Sequence, residues 1–235
     1  MKSISVLIPI YNEELLLAET VGQLVFALKK IKEIENFEIL LIENGSKDSS
    51  FKIARKISRG YPQVKVFRLK KPCYGLALKI GIKKAKYDNI IQLDVDFIDL
   101  NFLKEALSLL DSYDIIIGSK LHRLSKDNRS KLRVLVTKLI SLFISAVFRY
   151  QGDTHGIKAY KKQKIIRIVK KNLTDHHFFD TELVLRAVKD GLKVIELPVE
   201  VKEVRESRFS TKTRFIQSFK EIFLLVKARK ELSGE

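Results

Sequence analysis

Short apolar runs alternate with amphipathic segments through the first 120 residues, and that alternation admits very few folds. Ile4–Pro9, Phe37–Ile42, Val64–Arg68, Asn89–Leu93 and Ile115–Gly118 suit strands and are too short for helices. Between them, Glu13–Ile31, Asp48–Ser58, Gly75–Ala85 and Leu103–Leu110 repeat apolar positions at helical spacing. Asp48 or Ser49 can cap the second of these helices. Strands that alternate with helices form βαβ units. The predicted fold is therefore α/β: a mostly parallel, Rossmann-like sheet flanked by helices.

After residue 120 the pattern changes. Residues 121–131 are polar and basic and read as a flexible loop, and residues 132–148 as an apolar helix. Turn-forming residues from Asp153 lead into a short strand ending near Tyr160. A basic helix spans Lys161–Lys171, and a helix over Thr181–Asp190 closes on Gly191, a residue suited to the position after a helix end. Lys193–Val199 is a late strand, and Ser210–Lys230 holds an amphipathic helix. No internal repeat or linker divides the chain, so a single domain over 1–235 is expected.

In such a sheet, ligands bind beyond the carboxyl ends of the strands. Asp94-Val95-Asp96 falls there, directly after the fourth apolar run. Two carboxylates one residue apart repel and call for a cation. Oxygen ligands favour a hard ion, Mg²⁺ or Mn²⁺, and such an ion favours a phosphate-bearing substrate. Pro9-Ile10-Tyr11-Asn12-Glu13 and Glu43-Asn44-Gly45-Ser46 follow the first two strands and share the same edge. A tyrosine ring can pack on a base, and a carboxylate can accept from a base N–H.

The charge is consistent with an anionic partner. Lys and Arg number 45 against 28 Asp and Glu, a formal net charge of +17. Such an excess attracts nucleic acid, anionic lipid or phosphorylated substrates without choosing among them. The single cysteine, Cys73, excludes an internal disulfide and a cysteine-rich zinc site, and fits a reducing compartment. The first residues run straight into a strand, so no signal peptide is expected. No run of about 18 or more apolar residues is present to cross a bilayer.

In their order and spacing, Ile8–Glu13, Glu43–Asp48, Gly75–Gly81 and Asp94–Asp96 resemble the motifs of the inverting family 2 glycosyltransferases of GT-A fold. Asp153–Lys158, Phe178–Leu183, Leu197–Val201 and Glu206–Arg208 narrow the resemblance to enzymes that use polyprenyl phosphate, such as dolichyl-phosphate mannose synthase and dolichyl-phosphate glucosyltransferase. The resemblance implies transfer of a hexose from a nucleotide sugar, GDP-mannose or UDP-glucose, to a polyprenyl (dolichyl) phosphate. It implies that residues 1–120 bind the donor and 121–235 serve the acceptor. Pro9, Tyr11, Asn12, Glu13, Glu43 and Gly75 would line the donor site. Asp94 and Asp96 would hold the metal, with Lys120 and Arg205 on the donor phosphates. Thr154, His155, Arg123 and Arg129 would face the acceptor. Asp96, Asp153, Glu182 and Arg208 would act at the reaction centre. The chain departs from the pattern at several positions. Glu43-Asn44 replaces an Asp-Asp pair, and Ile98 stands where mannose synthases place a metal-shell glutamine. Lys120 and Arg208 exchange the usual arginine and lysine, which keeps charge but changes hydrogen-bond geometry.

A phosphate monoester is mostly dianionic at neutral pH, its second pKa being about 6. It can attack an anomeric carbon without the general base that a sugar hydroxyl needs. A hydroxyl acceptor would require such a base, with Asp153 or Glu182 as the candidates. A basic protein that only binds a polyanion is the other alternative; no nucleic-acid partner is expected. A lipid-linked acceptor also requires contact with a membrane. Leu132, Leu135, Val136, Leu139, Phe143 and Val147 form one apolar face, and Phe215, Phe219, Phe223 and Val226 another, both edged by Lys and Arg. The expected location is the anionic cytoplasmic face of a membrane, held peripherally, with or without a separate membrane subunit.

Overall fold

The structure is a computed structural model that describes residues 1–201 and 220–232. Arg205, Arg208, Phe215 and Phe219 lie outside the described residues. The first part of the chain runs β1 (Lys2–Ile10), α1 (Leu17–Lys30), β2 (Ile34–Asn44), α2 (Ser50–Gly60), β3 (Val64–Leu69), α3 (Tyr74–Lys84), β4 (Asn89–Gln92), α4 (Leu100–Leu109) and β5 (Ile115–Ser119). It continues through β6 (Lys126–Asp127), α5 (Lys131–Phe148), β7 (Lys158–Lys161), α6 (Lys162–Lys171), α7 (Phe179–Lys189), β8 (Val194–Pro198) and β9 (Glu200–Val201). Residues 220–227 are helical, and a last helical turn spans Arg229–Leu232.

One sheet carries the order β3-β2-β1-β4-β7-β5-β8. Within it only β7 runs antiparallel to its neighbours, β4 and β5. Strand β1 is covered on both faces, which is why its sequence is an almost unbroken apolar run. Ile4, Val6, Ile8 and Ile10 pack with α1, α2 and α4, whereas Leu7 points to α3, α6 and α7. Each such side chain contributes about 1.5–3 kcal/mol by burial. The chain leaves β1 through α1 on one face and reaches β4 through α3 on the other. The strand order therefore reverses between β1 and β4, and the crevice beyond their carboxyl ends is the topological switch point where ligands collect in such sheets. The loops after β1 and β4 carry Tyr11-Asn12-Glu13 and Asp94-Val95-Asp96 into that crevice.

Several boundaries differ from the sequence expectation, each for a local reason. Helix α1 begins at Leu17, later than expected. Asn12 takes a left-handed conformation (φ 54°), and the N–H groups of Glu13 and Glu14 are bound by Ser50 Oγ and Asp48 Oδ2 at 2.6 and 3.2 Å. These residues are thus committed to the crevice rather than to the helix. Asp48 Oδ1 also accepts from Ser50 N–H at 2.9 Å at the start of α2, where Ser49 makes no side-chain cap. Residues 121–131 are more ordered than a flexible loop. Strand β6 pairs in parallel with β9, and Ser125 Oγ accepts from Val199 N–H at 3.0 Å while donating to Ser119 O at 2.6 Å.

Candidate active site

Two loops from distant parts of the sequence interlock at the carboxyl edge of the sheet. Asn12 N–H donates to Ser46 Oγ at 3.0 Å, and Lys47 N–H donates back to Asn12 Oδ1 at 2.9 Å. Gly45 has φ +71°, and an added Cβ there would meet Lys71 backbone at 2.9 Å, so this turn takes glycine. Asn44 Oδ1 accepts from Cys73 N–H at 2.6 Å and ties the end of β2 to the start of α3. Glu43 is fully buried. Its carboxylate accepts from Ser46 N–H and pairs with Arg68 Nε at 3.0 Å. Pro9, Tyr11 and Asn12 are half-buried at this edge, and Glu13 is buried.

Asp94 and Asp96 stand on the tight turn after β4, closed by Phe97 N–H to Asp94 O at 3.0 Å. Burial and then the charge of Asp96 push Asp94 up to about pKa 6, against the opposing pull of Lys120 and Lys158. For Asp94 the two lysines do not offset burial and the neighbouring carboxylate, the condition a divalent cation would relieve. Among the described residues no cluster of three or more His, Cys, Asp or Glu forms a self-contained metal site. The two carboxylates therefore fit an ion whose remaining ligands come from substrate oxygens and water, as is usual for Mg²⁺ and its relatives. A cavity of about 270 Å³ opens beside Asp96, lined by Leu16, Thr20, Gln23, Leu24, Val95 and Ile98.

Lys120 reaches this pair from the end of β5. Its ammonium is depressed below the usual lysine range by burial and then by Arg129, although Asp94, Asp153 and Asp127 pull the other way. Arg129 is itself clamped by Asp127, Nε to Oδ1 at 2.8 Å and Nη2 to Oδ2 at 2.7 Å, and also reaches Thr137 Oγ1 at 3.2 Å. Arg123 is exposed.

The acids of the second half are held differently. Asp153 Oδ2 accepts from Lys120 N–H and Oδ1 from His155 N–H, both at 2.9 Å. Glu182 is fully buried, accepts from the N–H groups of Leu173 and Thr174 and from Thr174 Oγ1, and pairs with Arg186 at 2.8 Å. Thr154 Oγ1 shares hydrogen bonds with Thr181 Oγ1 at 2.9 Å and His155 Nδ1 at 3.1 Å. Burial lowers the His155 pKa, partly opposed by Asp153, and its ring meets Phe178 edge-on.

A buried polar group whose charge acts on Asp94 was not singled out by the sequence. Lys158, fully buried on β7, pairs with Asp180 Oδ1 at 3.4 Å and donates to Gly156 O at 2.9 Å. Asp180 also accepts from Tyr74 OH and Gln92 Nε2, each at 3.4 Å. The signal lay in the motifs around residues 153–158 and 178–183, but a lysine within a strand reads as solvent-facing until its neighbours are known.

Residues 5–180 match the family model described as glycosyl transferase family 2. The chain belongs to this family. It is 27% identical over 236 residues to a dolichyl-phosphate beta-glucosyltransferase of Dictyostelium discoideum, covering 93% of this chain and 72% of that protein. It is 26% identical over 207 residues to glycosyltransferase AglD of Haloferax volcanii, covering 84% of this chain but only 32% of that larger protein. Glucosyl-3-phosphoglycerate synthase from Mycobacterium tuberculosis, solved with Mn²⁺, UDP and glucosyl-3-phosphoglycerate, superposes with a TM-score of 0.70. That alignment covers 97% of this chain and 80% of the other at 17% identity, a likeness of fold. The GT-A-like architecture and the resemblance to dolichyl-phosphate glucosyltransferases expected from the motifs are thus present in this family 2 member.

The two helices expected at a membrane pack against each other beside α7. On α5, Leu135, Val136, Leu139 and Leu142 are exposed, Leu142 to 67%. Phe143 and Val147, expected on the same outward face, instead pack with Ile144, Phe148, Phe178, Leu185 and Leu225. The apolar residues of α5 thus divide between an outward and an inward face. On residues 220–227, Phe223, Leu224 and Val226 are exposed, and Glu221 and Leu225 are buried. Among the described residues no helix is long and apolar enough to cross a membrane.

Proposed function

We propose that this family 2 glycosyltransferase moves glucose from UDP-glucose to a polyprenyl (dolichyl) phosphate with inversion at the anomeric carbon. The observation that carries this reading is the state of the acids. Asp153 and Glu182, the candidate bases for a hydroxyl acceptor, have their carboxylates engaged by N–H and O–H donors or by Arg186. A dianionic phosphate acceptor needs neither of them to remove a proton. An oxygen of that phosphate forms the new bond to the anomeric carbon as the bond from that carbon to the donor diphosphate breaks, releasing UDP.

In this reading residues 1–120 hold the donor and the following residues serve the acceptor. Pro9, Tyr11, Asn12, Glu13 and Glu43 frame the nucleoside side, and Gly75 at the start of α3 lies towards the diphosphate. Asp94 and Asp96 would hold Mg²⁺ or Mn²⁺, which supplies countercharge to the diphosphate when bound. Lys120 adds a desolvated cation for the charge that develops on the leaving group. Thr154, His155, Arg123 and Arg129 fall to the acceptor side, with Asp153 ordering the Lys120 and His155 backbone. Arg205 and Arg208, outside the described residues, are assigned to the phosphates by motif alone. Glucose is favoured over mannose by the likeness to dolichyl-phosphate beta-glucosyltransferases and by Ile98. The exposed apolar residues of α5 and of 220–227, with the +17 charge, support peripheral contact with an anionic cytoplasmic leaflet, alone or beside a membrane subunit.

The test is a donor screen with dolichyl phosphate in detergent and Mg²⁺ or Mn²⁺, comparing UDP-glucose, GDP-mannose and UDP-N-acetylglucosamine. Lipid- and metal-dependent turnover of UDP-glucose is the expected result. Turnover of GDP-mannose alone would overturn the sugar assignment. UDP-glucose hydrolysis or transfer to soluble sugars without lipid would overturn the acceptor.

A further inference from the structure

The carboxylate of Glu221 is buried, yet no element of the proposed reaction uses it. Oε1 accepts from the N–H groups of Asp175 and His176 at 3.0 and 2.7 Å, and Oε2 accepts from Phe178 N–H at 3.1 Å. Three backbone N–H groups of one loop gathered on one carboxylate make a strong, directional anchor. The anchored loop lies directly against the start of α3. Asp175 O accepts from Leu76 N–H at 2.9 Å, and Asp175 Oδ1 pairs with Lys79 at 2.6 Å. A Cβ on Gly75 would stand 2.6 Å from Asp175 backbone and from Phe179 Cβ, so loop and helix are in the closest contact the chain allows. Just before the helix, Cys73 N–H donates to Asn44 Oδ1 at 2.6 Å, at the end of β2 on the crevice edge. A continuous path therefore runs from Glu221 through residues 175–178 to Gly75 and the crevice.

Among the described residues, the C-terminal helical segment that carries Glu221 is also tied to α7, through Glu231 paired with Arg186 at 3.7 Å and through Lys189 Nζ, which donates to Lys230 O and Glu231 O. Leu225, Ala228 and Leu232 pack in a small cluster with α5, Phe178 and Leu185, apart from the two clusters that sandwich the sheet. The outer side of that helix is apolar and exposed at Phe223, Leu224 and Val226. We propose that Glu221 is a positioning residue that transmits the seating of the C-terminal helix to the start of α3, and so sets how tightly the donor diphosphate is held. This deepens the function proposed above and rests on it for the identity of the donor.

The experiment measures UDP affinity with Mn²⁺ by calorimetry, steady-state kinetics with UDP-glucose and dolichyl phosphate in detergent, and Tm, on five proteins. They are the unaltered chain, Glu221→Gln, Glu221→Asp, Leu225→Ala and the double variant of Glu221→Gln with Leu225→Ala. Expected for Glu221→Gln is about tenfold weaker UDP affinity and a matching rise in donor KM, with acceptor KM unchanged. Leu225→Ala, which loosens the helix and keeps the carboxylate, shifts donor affinity the same way. The double variant is no worse than the more affected single, because both cut one path. Glu221→Asp restores part of the loss. If Glu221→Gln does not fold, Glu221→Asp and Leu225→Ala carry the comparison. Unchanged UDP affinity in the folded variants, whatever their Tm, overturns the proposal, as does full additivity. An unaltered protein that binds UDP with Mn²⁺ but does not turn over with dolichyl phosphate overturns the transfer reading alone, since UDP affinity still decides the role of Glu221.

Discussion

The acids at the end of β4 and the acids of the second half are the same chemical group in opposite circumstances. Asp94 and Asp96 stand on one tight turn, and burial with the charge of Asp96 holds Asp94 up to about pKa 6. Asp153, Glu182 and Glu221 are each buried, with carboxylates bound to backbone N–H groups of named loops. A carboxylate saturated by fixed donors is a structural fastener and cannot change partners without breaking the fold. A carboxylate pressed against another is poised for an incoming cation. Burial alone does not separate Asp94 from Asp153, Glu182 and Glu221; the N–H donors that bind those three carboxylates do.

The comparison can be tested by removing charge on each side. The largest effect is expected from Asp96→Asn, which should lower kcat by about 10²–10³-fold with the fold intact; circular dichroism and turnover measured together check it. Glu182→Gln should act in the reverse sense. It leaves Arg186 without its close partner and should cost about 3 kcal/mol of stability, read as a clear drop in Tm.

Asp94→Asn sharpens the contrast through pH. The folded-state pKa of about 6 lies above the ordinary 3.8, so the ionised form is the one the fold disfavours. The penalty on the native protein is complete above pH 6 and fades as pH falls towards 4. Without metal, Asp94→Asn should therefore be more stable than the parent by about 1–3 kcal/mol at pH 8 and by little at pH 4. Thermal melts across pH check this, and Mn²⁺ with UDP should stabilise only the parent. Lys120→Ala should lower kcat by about tenfold, with Lys120→Arg recovering part of it, a smaller effect because a cation near the metal shares its task. Arg68→Ala should change donor KM by only about two- to threefold, since its pair with Glu43 is half exposed.

Much of the fold was legible because burial on both faces leaves a local signature. The runs in β1, β2, β4 and β5 are apolar since helices cover each side, and their order with intervening helices fixed a mostly parallel sheet. The acid pair and the Tyr11-Asn12-Glu13 loop were legible because they follow strands directly. Lys158 and Asp180 were obscured because a charged residue carries no mark of burial in the sequence; only pairing across β7 and α7 reveals it. The two-residue strands β6 and β9 were hidden because each is ordered by the other, from 74 residues away in the case of Ser125 and Val199. The split of the α5 face was equally hidden, as inward and outward apolar positions have the same chemistry.

By itself the sequence determined the α/β sheet, the acid pair at its edge, the family and the excess of positive charge, because each rests on local residue pattern or on a simple sum. The tertiary structure alone decided that Asp153, Glu182 and Glu221 accept from backbone N–H groups while Asp94 is pressed by burial and by Asp96, that Lys158 sits buried against Asp180, and that Glu221 grips the loop against α3. Those outcomes depend on distances between residues far apart in the chain, and electrostatics and hydrogen bonding act through distance in space.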